Sequence, residues 1–384
     1  MIAVPRLLSL DKAISGVVDS ASRLPTEIVP LLSARHRVLA EEIRLVQPVP
    51  ITDRAALDGF AVSASATVGA TSYNPLLLPL RGISAGDPVP PGSNAVIPLN
   101  LGQPQSPDAV ECIEALAPGE NVEVLGSVAA PGALLAPAGT QLSPPHIGML
   151  IAAGFVSVEV IRRPMVRIVV ALGSATTDIN GPMTQALIER DGGLVADTVT
   201  MERSQQGIRS ALGGEGVDVV LVIGGTGPGT DDHSAAALSK AGELAFHGVA
   251  FRPGETSGFG RAQNGVPIML LPGSPAACLF SYEMLAGRAV RRLGGRSPAL
   301  PYRSRVMRTT RKIVSAIGMT EMCPVSCSGG DMVESLPSFG EAGLMAVVAA
   351  DGFVIVPEAS EGYPQGASVT VYLYEGVASA AKER

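Results

Sequence analysis

Four short segments concentrate the residue types that chemistry needs. The longest, Leu221–His233, reads LVIGGTGPGTDDH: an apolar run, a loop crowded with glycines, then paired aspartates. Glycine lets backbone come close to a ligand. Gly224, Gly225, Gly227 and Gly229, with Thr226 among them, therefore suit a loop that holds an anion on its amides, and a helix starting near Ser234 would add free N–H groups. Asp231 and Asp232 would repel a bare phosphate, so beside such a loop they make more sense with a divalent cation between acid and anion. The same string serves equally as a tight turn in which Asp232 caps the next helix, because glycine-rich strings recur in turns. Gly173–Asp178 (GSATTD) and Pro272-Gly273-Ser274-Pro275 are two further glycine-containing loops that follow apolar runs. The fourth segment, Asp53–Ala61 (DRAALDGFA), carries Asp58-Gly59, a pair whose commonest use is a turn.

The elements that must position these loops are legible. Val166–Leu172, Val217–Ile223 and Pro267–Leu271 are too continuously apolar for half-exposed strands and predict a parallel sheet covered on both faces. Helical patterns at Met183–Arg190, Ser204–Leu212 and Ser234–Ala241 lie between them. A further helix starts at Pro275 and ends in Arg288, Arg291 and Arg292 before Gly294, as capping and dipole rules favour. Ligands of open α/β sheets bind beyond the carboxyl ends of the strands, so the three glycine loops are expected to converge on one site in a three-layer α/β domain. Near the N-terminus, Leu10 to about Ala21 predicts a short helix with Ser9 as its cap. From Pro48 to Gly139, prolines, glycines and short apolar pieces predict a β-rich domain, and from Arg303 onward Phe353–Val356 and Val369–Leu373 predict a small β barrel or sandwich.

Composition narrows the function classes. The 384 residues carry 28 Lys plus Arg against 35 Asp plus Glu, a net charge of −7, which argues against a broad nucleic-acid-binding face while leaving room for a local basic pocket. Four cysteines in a chain of this size do not form a disulfide framework, and Cys323 and Cys327 have no neighbouring partners to complete a zinc site. With no signal-peptide order and no apolar run of membrane-spanning length, the expectation is a cytoplasmic protein that engages no membrane.

Taken together, these pieces resemble the molybdopterin molybdenumtransferases, the molybdenum insertases whose eukaryotic relatives include the E domain of gephyrin. Pro30–Ala40 (PLLSARHRVLA) is similar to the family's opening "vpl..A.grvLAe", Asp58–Val62 to "DGyAv", and Ala85–Gly92 to "TGApvPpG". Gly224–Asp232 matches "GGvSvGdyD", Arg252-Pro-Gly254 matches "kPGkP", Leu271–Ala277 matches "LPGNPvSa", and Asp351–Glu358 matches "anglivlPe". The motifs run in the family's order through nearly the whole chain.

The resemblance implies a multidomain α+β and α/β architecture. An elongated connector would comprise residues 22–47 and 138–163, a β-rich insertion domain 48–137, a three-layer α/β pterin-binding domain 1–21 with 164–297, and a C-terminal β domain 298–384. It also implies a homodimer in which Asp58 faces the glycine loop of the other copy. The implied reaction joins adenylylated molybdopterin and molybdate to give molybdenum cofactor and AMP, with Mg²⁺ held by Asp58 and Asp232 as the catalytic acids. The implied pterin and phosphate contacts are Gly224, Gly225, Thr226, Gly227, Gly229, Arg252, Pro272, Gly273, Ser274 and Pro275.

This chain departs from the family's pattern at four of its motifs. Val128 and Ala175 stand where the family has acids, Ala85 where it has a threonine, and the "kPGk" lysines are Arg252 and Glu255. Two competing readings follow: a non-catalytic carrier that hands the cofactor to a molybdoenzyme client, and a pocket retuned to another nucleotide or pterin.

Overall fold

The structure is a computed structural model that describes residues 7–173, 177–213, 216–337 and 342–374. The chain divides into two compact units, Met1–Pro25 with Ile161–Arg384, and Thr26–Val160.

The first unit is built on a six-stranded sheet. In chain order its elements are α1 (Leu10–Ser20), β1 (Met165–Leu172), α2 (Asn180–Arg190), β2 (Leu194–Glu202), α3 (Gln205–Ala211), β3 (Val219–Ile223), α4 (Ser234–Ala241), β4 (Gly242–His247), β5 (Gly258–Ala262), β6 (Pro267–Leu271), α5 (Pro275–Ser281) and α6 (Gly287–Leu293). The strand order is β2-β1-β3-β6-β5-β4, parallel through β6 and antiparallel beyond it. The three apolar runs thus become the adjacent strands β1, β3 and β6. Their alternation decides the layers. Val166, Ile168, Val219, Leu221, Met269 and Leu271 face a core shared with α1, α5 and α6, while Val169, Val220, Val222, Ile268 and Leu270 face one shared with α3 and α4.

Local chemistry sets several element ends. Asp218, expected within a strand, instead takes both terminal guanidinium nitrogens of Arg162 and the Met165 N–H, so β3 starts at Val219, two residues later than expected. The Asp178 carboxylate accepts the Gly181 N–H at 2.8 Å, which starts α2 earlier than the apolar pattern suggested. Ser204 caps α3 through the Gly207 N–H, whereas Ser9 precedes α1 without a side-chain cap bond. The helix expected after Ser274 runs as α5, a π turn at Tyr282–Ala286, and α6.

In the same unit, strands Arg303–Thr309, Thr320–Ser328, Met332–Ser335, Gly352–Val356 and Ser368–Leu373 pair in a ring, because Thr320–Ser328 joins both Met332–Ser335 and Gly352–Val356. Of the two C-terminal forms expected, the barrel is the one found, and Cys323 and Cys327 lie within its Thr320–Ser328 strand. A helix at Ala342–Ala349 was not expected. Buried charges are concentrated in one network: Arg190 holds Glu283 at 2.7 Å, Arg291 holds Asp191 at 2.6 Å, and Tyr302 donates to Glu283 at 2.6 Å.

The second unit has two main apolar cores. One gathers Val29, Leu39, Leu142, Leu150 and Val160, and the other Phe60, Val62, Ile97, Val110 and Cys112. Among the described residues, no helix is long and apolar enough to cross a membrane.

Candidate functional site

The carboxyl ends of β1, β3 and β6 come together, and the glycines explain how closely. Gly224 and Gly225 take left-handed φ angles of 89° and 63°, which turn the chain off β3 at once. The Gly224 N–H donates to Leu271 O on the neighbouring strand, and a Cβ on Gly224 would lie 2.7 Å from Ala171 O on the other. A Cβ on Gly273 would lie 3.4 Å from the Gly224 Cα. Backbone therefore meets backbone at the mouth of the sheet, as the convergence of the loops requires.

The loop is tied down on its own side. Ser234 donates its hydroxyl to Gly224 O and its N–H to Gly225 O, so the first N–H of α4 is not free for an anion. Thr226 is buried, shares a hydrogen bond with Thr256 at 2.9 Å, and presents its carbonyl to His247. Asp232 does not cap α4. The residue at the N-cap is His233, and the Asp232 Oδ2 instead accepts the Gly229 N–H at 3.0 Å. Asp232 thus holds the Gly227–Gly229 arch in shape.

One cation at this mouth was absent from the sequence reading. Arg203, the residue after β2, donates through Nε to Ala171 O at 3.3 Å and places Nη1 3.9 Å from Asp232 Oδ1. A Cβ on Gly173 would lie 3.1 Å from its Cζ, and one on Gly273 3.6 Å from its Nη2. The signal that could have found it was β2, whose residues alternate in exposure along LVADTVTME as an edge strand does. The Asn180 side-chain amide donates to Gly273 O at 2.8 Å, and its buried Oδ1 has no hydrogen-bond partner among the described residues.

Ser274 and Pro275 begin α5 directly after Pro272 and Gly273, with Pro275 at the first helical position. Arg252 is paired with Glu255 at 2.7 Å. Burial would raise the Glu255 carboxyl, but the Arg252 hydrogen bond and backbone N–H groups outweigh it and hold it below the usual carboxylate range. Glu255 is therefore the partner of Arg252, not a lone charge facing a phosphate. Arg252 also lines a cavity of about 520 Å³ together with Lys312, Ser315, Glu321 and Cys323. Asp58 belongs to the other compact unit, is exposed, and accepts the Ala85 N–H at 2.7 Å. Asp178 accepts the Gly181 N–H at the start of α2, and Val128 is exposed. Ala175 lies outside the described residues.

The donor set does not fit a divalent ion held by a single chain. Among the described residues no three His, Cys, Asp or Glu side chains come together. Asp232 is engaged by Gly229 and faces a guanidinium.

Comparison with known proteins extends this picture to the whole chain. Three family models match in order: the MoeA N-terminal region (domain I and II) over residues 8–154, the probable molybdopterin binding domain over 158–292, and the MoeA C-terminal region (domain IV) over 306–374. The molybdopterin molybdenumtransferase of Bacillus subtilis is 26% identical, with 95% of this chain and 94% of that protein covered. The molybdopterin molybdenumtransferase 2 of Mycobacterium tuberculosis is 27% identical, with 73% of this chain and 78% of that protein covered. The crystal structure of the molybdopterin biosynthesis MoeA protein from Pyrococcus horikoshii superposes with a TM-score of 0.73, at 24% identity, over 96% of this chain and 100% of that one.

Proposed function

Because the chain belongs to the MoeA family of molybdopterin molybdenumtransferases and so to molybdenum cofactor biosynthesis, we propose that it binds adenylylated molybdopterin at the mouth of β1, β3 and β6 and inserts molybdenum from molybdate, releasing AMP. The observation that carries this reading is the backbone-on-backbone approach of Gly224 and Gly273 beside Arg203. It sets bare main chain, with a cation at its edge, at the place where open α/β sheets take their ligands. Gly224, Gly225, Gly227, Gly229 and Gly273 admit the pterin and its phosphates, Thr226 anchors the loop, and Asp232 fixes its arch. Pro272, Ser274 and Pro275 carry the chain from the close approach at Gly273 into α5.

Among the described residues, the carboxylates of one chain do not form a site for a magnesium ion. Asp58 enters the proposal as the acid of the second unit, and the proposed state is a homodimer. Light scattering that gives a monomer at micromolar concentration would remove the dimer from the reading.

The deciding experiment incubates purified protein with adenylylated molybdopterin and molybdate and follows AMP. AMP release coupled to cofactor formation is the expected result. Tight pterin binding without AMP release would identify a carrier that serves a molybdoenzyme client, and failure to bind the pterin at all would refute the site.

A further inference from the structure

Arg203 is the one guanidinium among the described residues that touches the carboxyl ends of the central strands. Its Nε is used on Ala171 O, and neither Nη1 nor Nη2 has an acceptor within hydrogen-bonding distance among the described residues. The 3.9 Å to Asp232 Oδ1 is an ion pair without a hydrogen bond. The guanidinium thus retains a planar pair of donors, the geometry that meets phosphate and carboxylate oxygens two at a time. The side chain is 36% exposed, so a ligand can reach it. A second observation points to the same place: the buried Asn180 Oδ1, on the side chain that donates to Gly273 O, is an acceptor left without a donor among the described residues. Buried polar groups in folded proteins nearly always have a partner, and a ligand N–H would supply one here.

We propose that Arg203 supplies the positive charge of this site, taking a phosphate of the bound ligand through Nη1 and Nη2, so that ligand binding does not depend on a divalent cation. The assignment rests on the proposal that the mouth of the sheet is the ligand site. It also fixes the role of Asp232. This carboxylate competes with the ligand for Arg203, so removing its charge should strengthen binding, the opposite of what a metal ligand would do.

The test uses the full chain and two probes. Molybdopterin binding is measured by its fluorescence in Mg²⁺ and in EDTA, and inorganic pyrophosphate binding by calorimetry in EDTA. Wild-type affinity for molybdopterin should agree within twofold in the two buffers. Arg203→Ala should weaken both probes at least tenfold, Arg203→Lys should recover part of the loss, and Asp232→Asn should tighten pyrophosphate severalfold. Circular dichroism identifies any variant that fails to fold, in which case the wild-type chelator series and Asp232→Asn decide. The assignment is overturned if Arg203→Ala binds normally, or if binding is lost in EDTA and in Asp232→Asn alike. If pyrophosphate binds through Arg203 but molybdopterin does not bind, the pterin reading falls and the charge assignment stands. If molybdopterin binds to Arg203→Ala with full affinity, the assignment falls and the pterin reading stands.

Discussion

Replacing Gly227 by alanine adds one methyl group at a calculable place. Its Cβ would lie 2.5 Å from Asp232 Oδ2, nearer than nonbonded carbon and oxygen approach, while the carboxylate is the movable partner. Asp232 must swing away, and in doing so it gives up the 3.0 Å bond from the Gly229 N–H. A hydrogen bond to a charged group contributes about 1.5–3 kcal/mol. The Asp232 side chain is only 17% exposed, so much of that is expected to register here. A loss of about 1–2 kcal/mol should lower the melting temperature by roughly 2–8 °C, taking about 2–4 °C per kcal/mol for a unit of this size. The assay is thermal unfolding of wild type, Gly227→Ala, Asp232→Ala and the double variant. In the Asp232→Ala background the added methyl meets no carboxylate, so Gly227→Ala should cost almost nothing there; contacting residues couple in this way and distant ones add. Additive losses would refute the claim that the Gly227–Gly229 arch is held by Asp232. Molybdopterin binding measured on the same proteins should fall at least tenfold in Gly227→Ala, and unchanged binding would show that the arch is not part of the cradle.

Four further outcomes follow from contacts elsewhere. Glu283→Ala leaves the Arg190 guanidinium and the Tyr302 hydroxyl short of an acceptor in a buried network, so it should destabilise by about 3–5 kcal/mol, read as an early melt of the first unit. Gly59→Ala would put a Cβ 2.0 Å from Ile97 O, a backbone atom on the paired strand, and should cost about 1–3 kcal/mol with a disturbed second unit seen by proteolysis. Burial pushes the Cys278 thiol up to about 12, so it should resist iodoacetamide at pH 8 until the protein unfolds; modification at the rate of a free thiol would contradict the packing. The Glu255 carboxyl is held below its ordinary value, so its contribution to stability is present above the unfolded pKa and is lost as pH falls through the lower folded value. Glu255→Gln should therefore flatten the acid limb of a stability–pH curve, and an unchanged limb would show that the Arg252 pair does not form in solution.

The sequence by itself determined the layers of the α/β unit and the place of its loops. Strands buried on both faces read as continuous apolar runs, so β1, β3 and β6 and their parallel order could be recognised, and α4 was found at its observed limits. The glycines of Gly224–Gly229 and Gly273 marked where the loops meet, because the left-handed turns at Gly224 and Gly225 and the close approach of Gly273 to Gly224 demand that residue. Edge strands and charge partners were decided only in three dimensions. β2 lies at the edge of the sheet with its residues alternately exposed, which left no apolar run to find, and so Arg203 at its end went unread. The helix-cap reading of Asp232 failed because sequence reports its charge and neighbours but not that it turns back to the Gly229 N–H and faces Arg203, leaving His233 at the N-cap. Likewise, sequence shows Glu255 as an acid in place of the family's lysine but not that it is paired with Arg252. Hydrophobic periodicity is written locally along the chain and survives being read in one dimension. Which carboxylate meets which cation depends on residues brought together from distant segments, and that pairing exists only once the chain has folded.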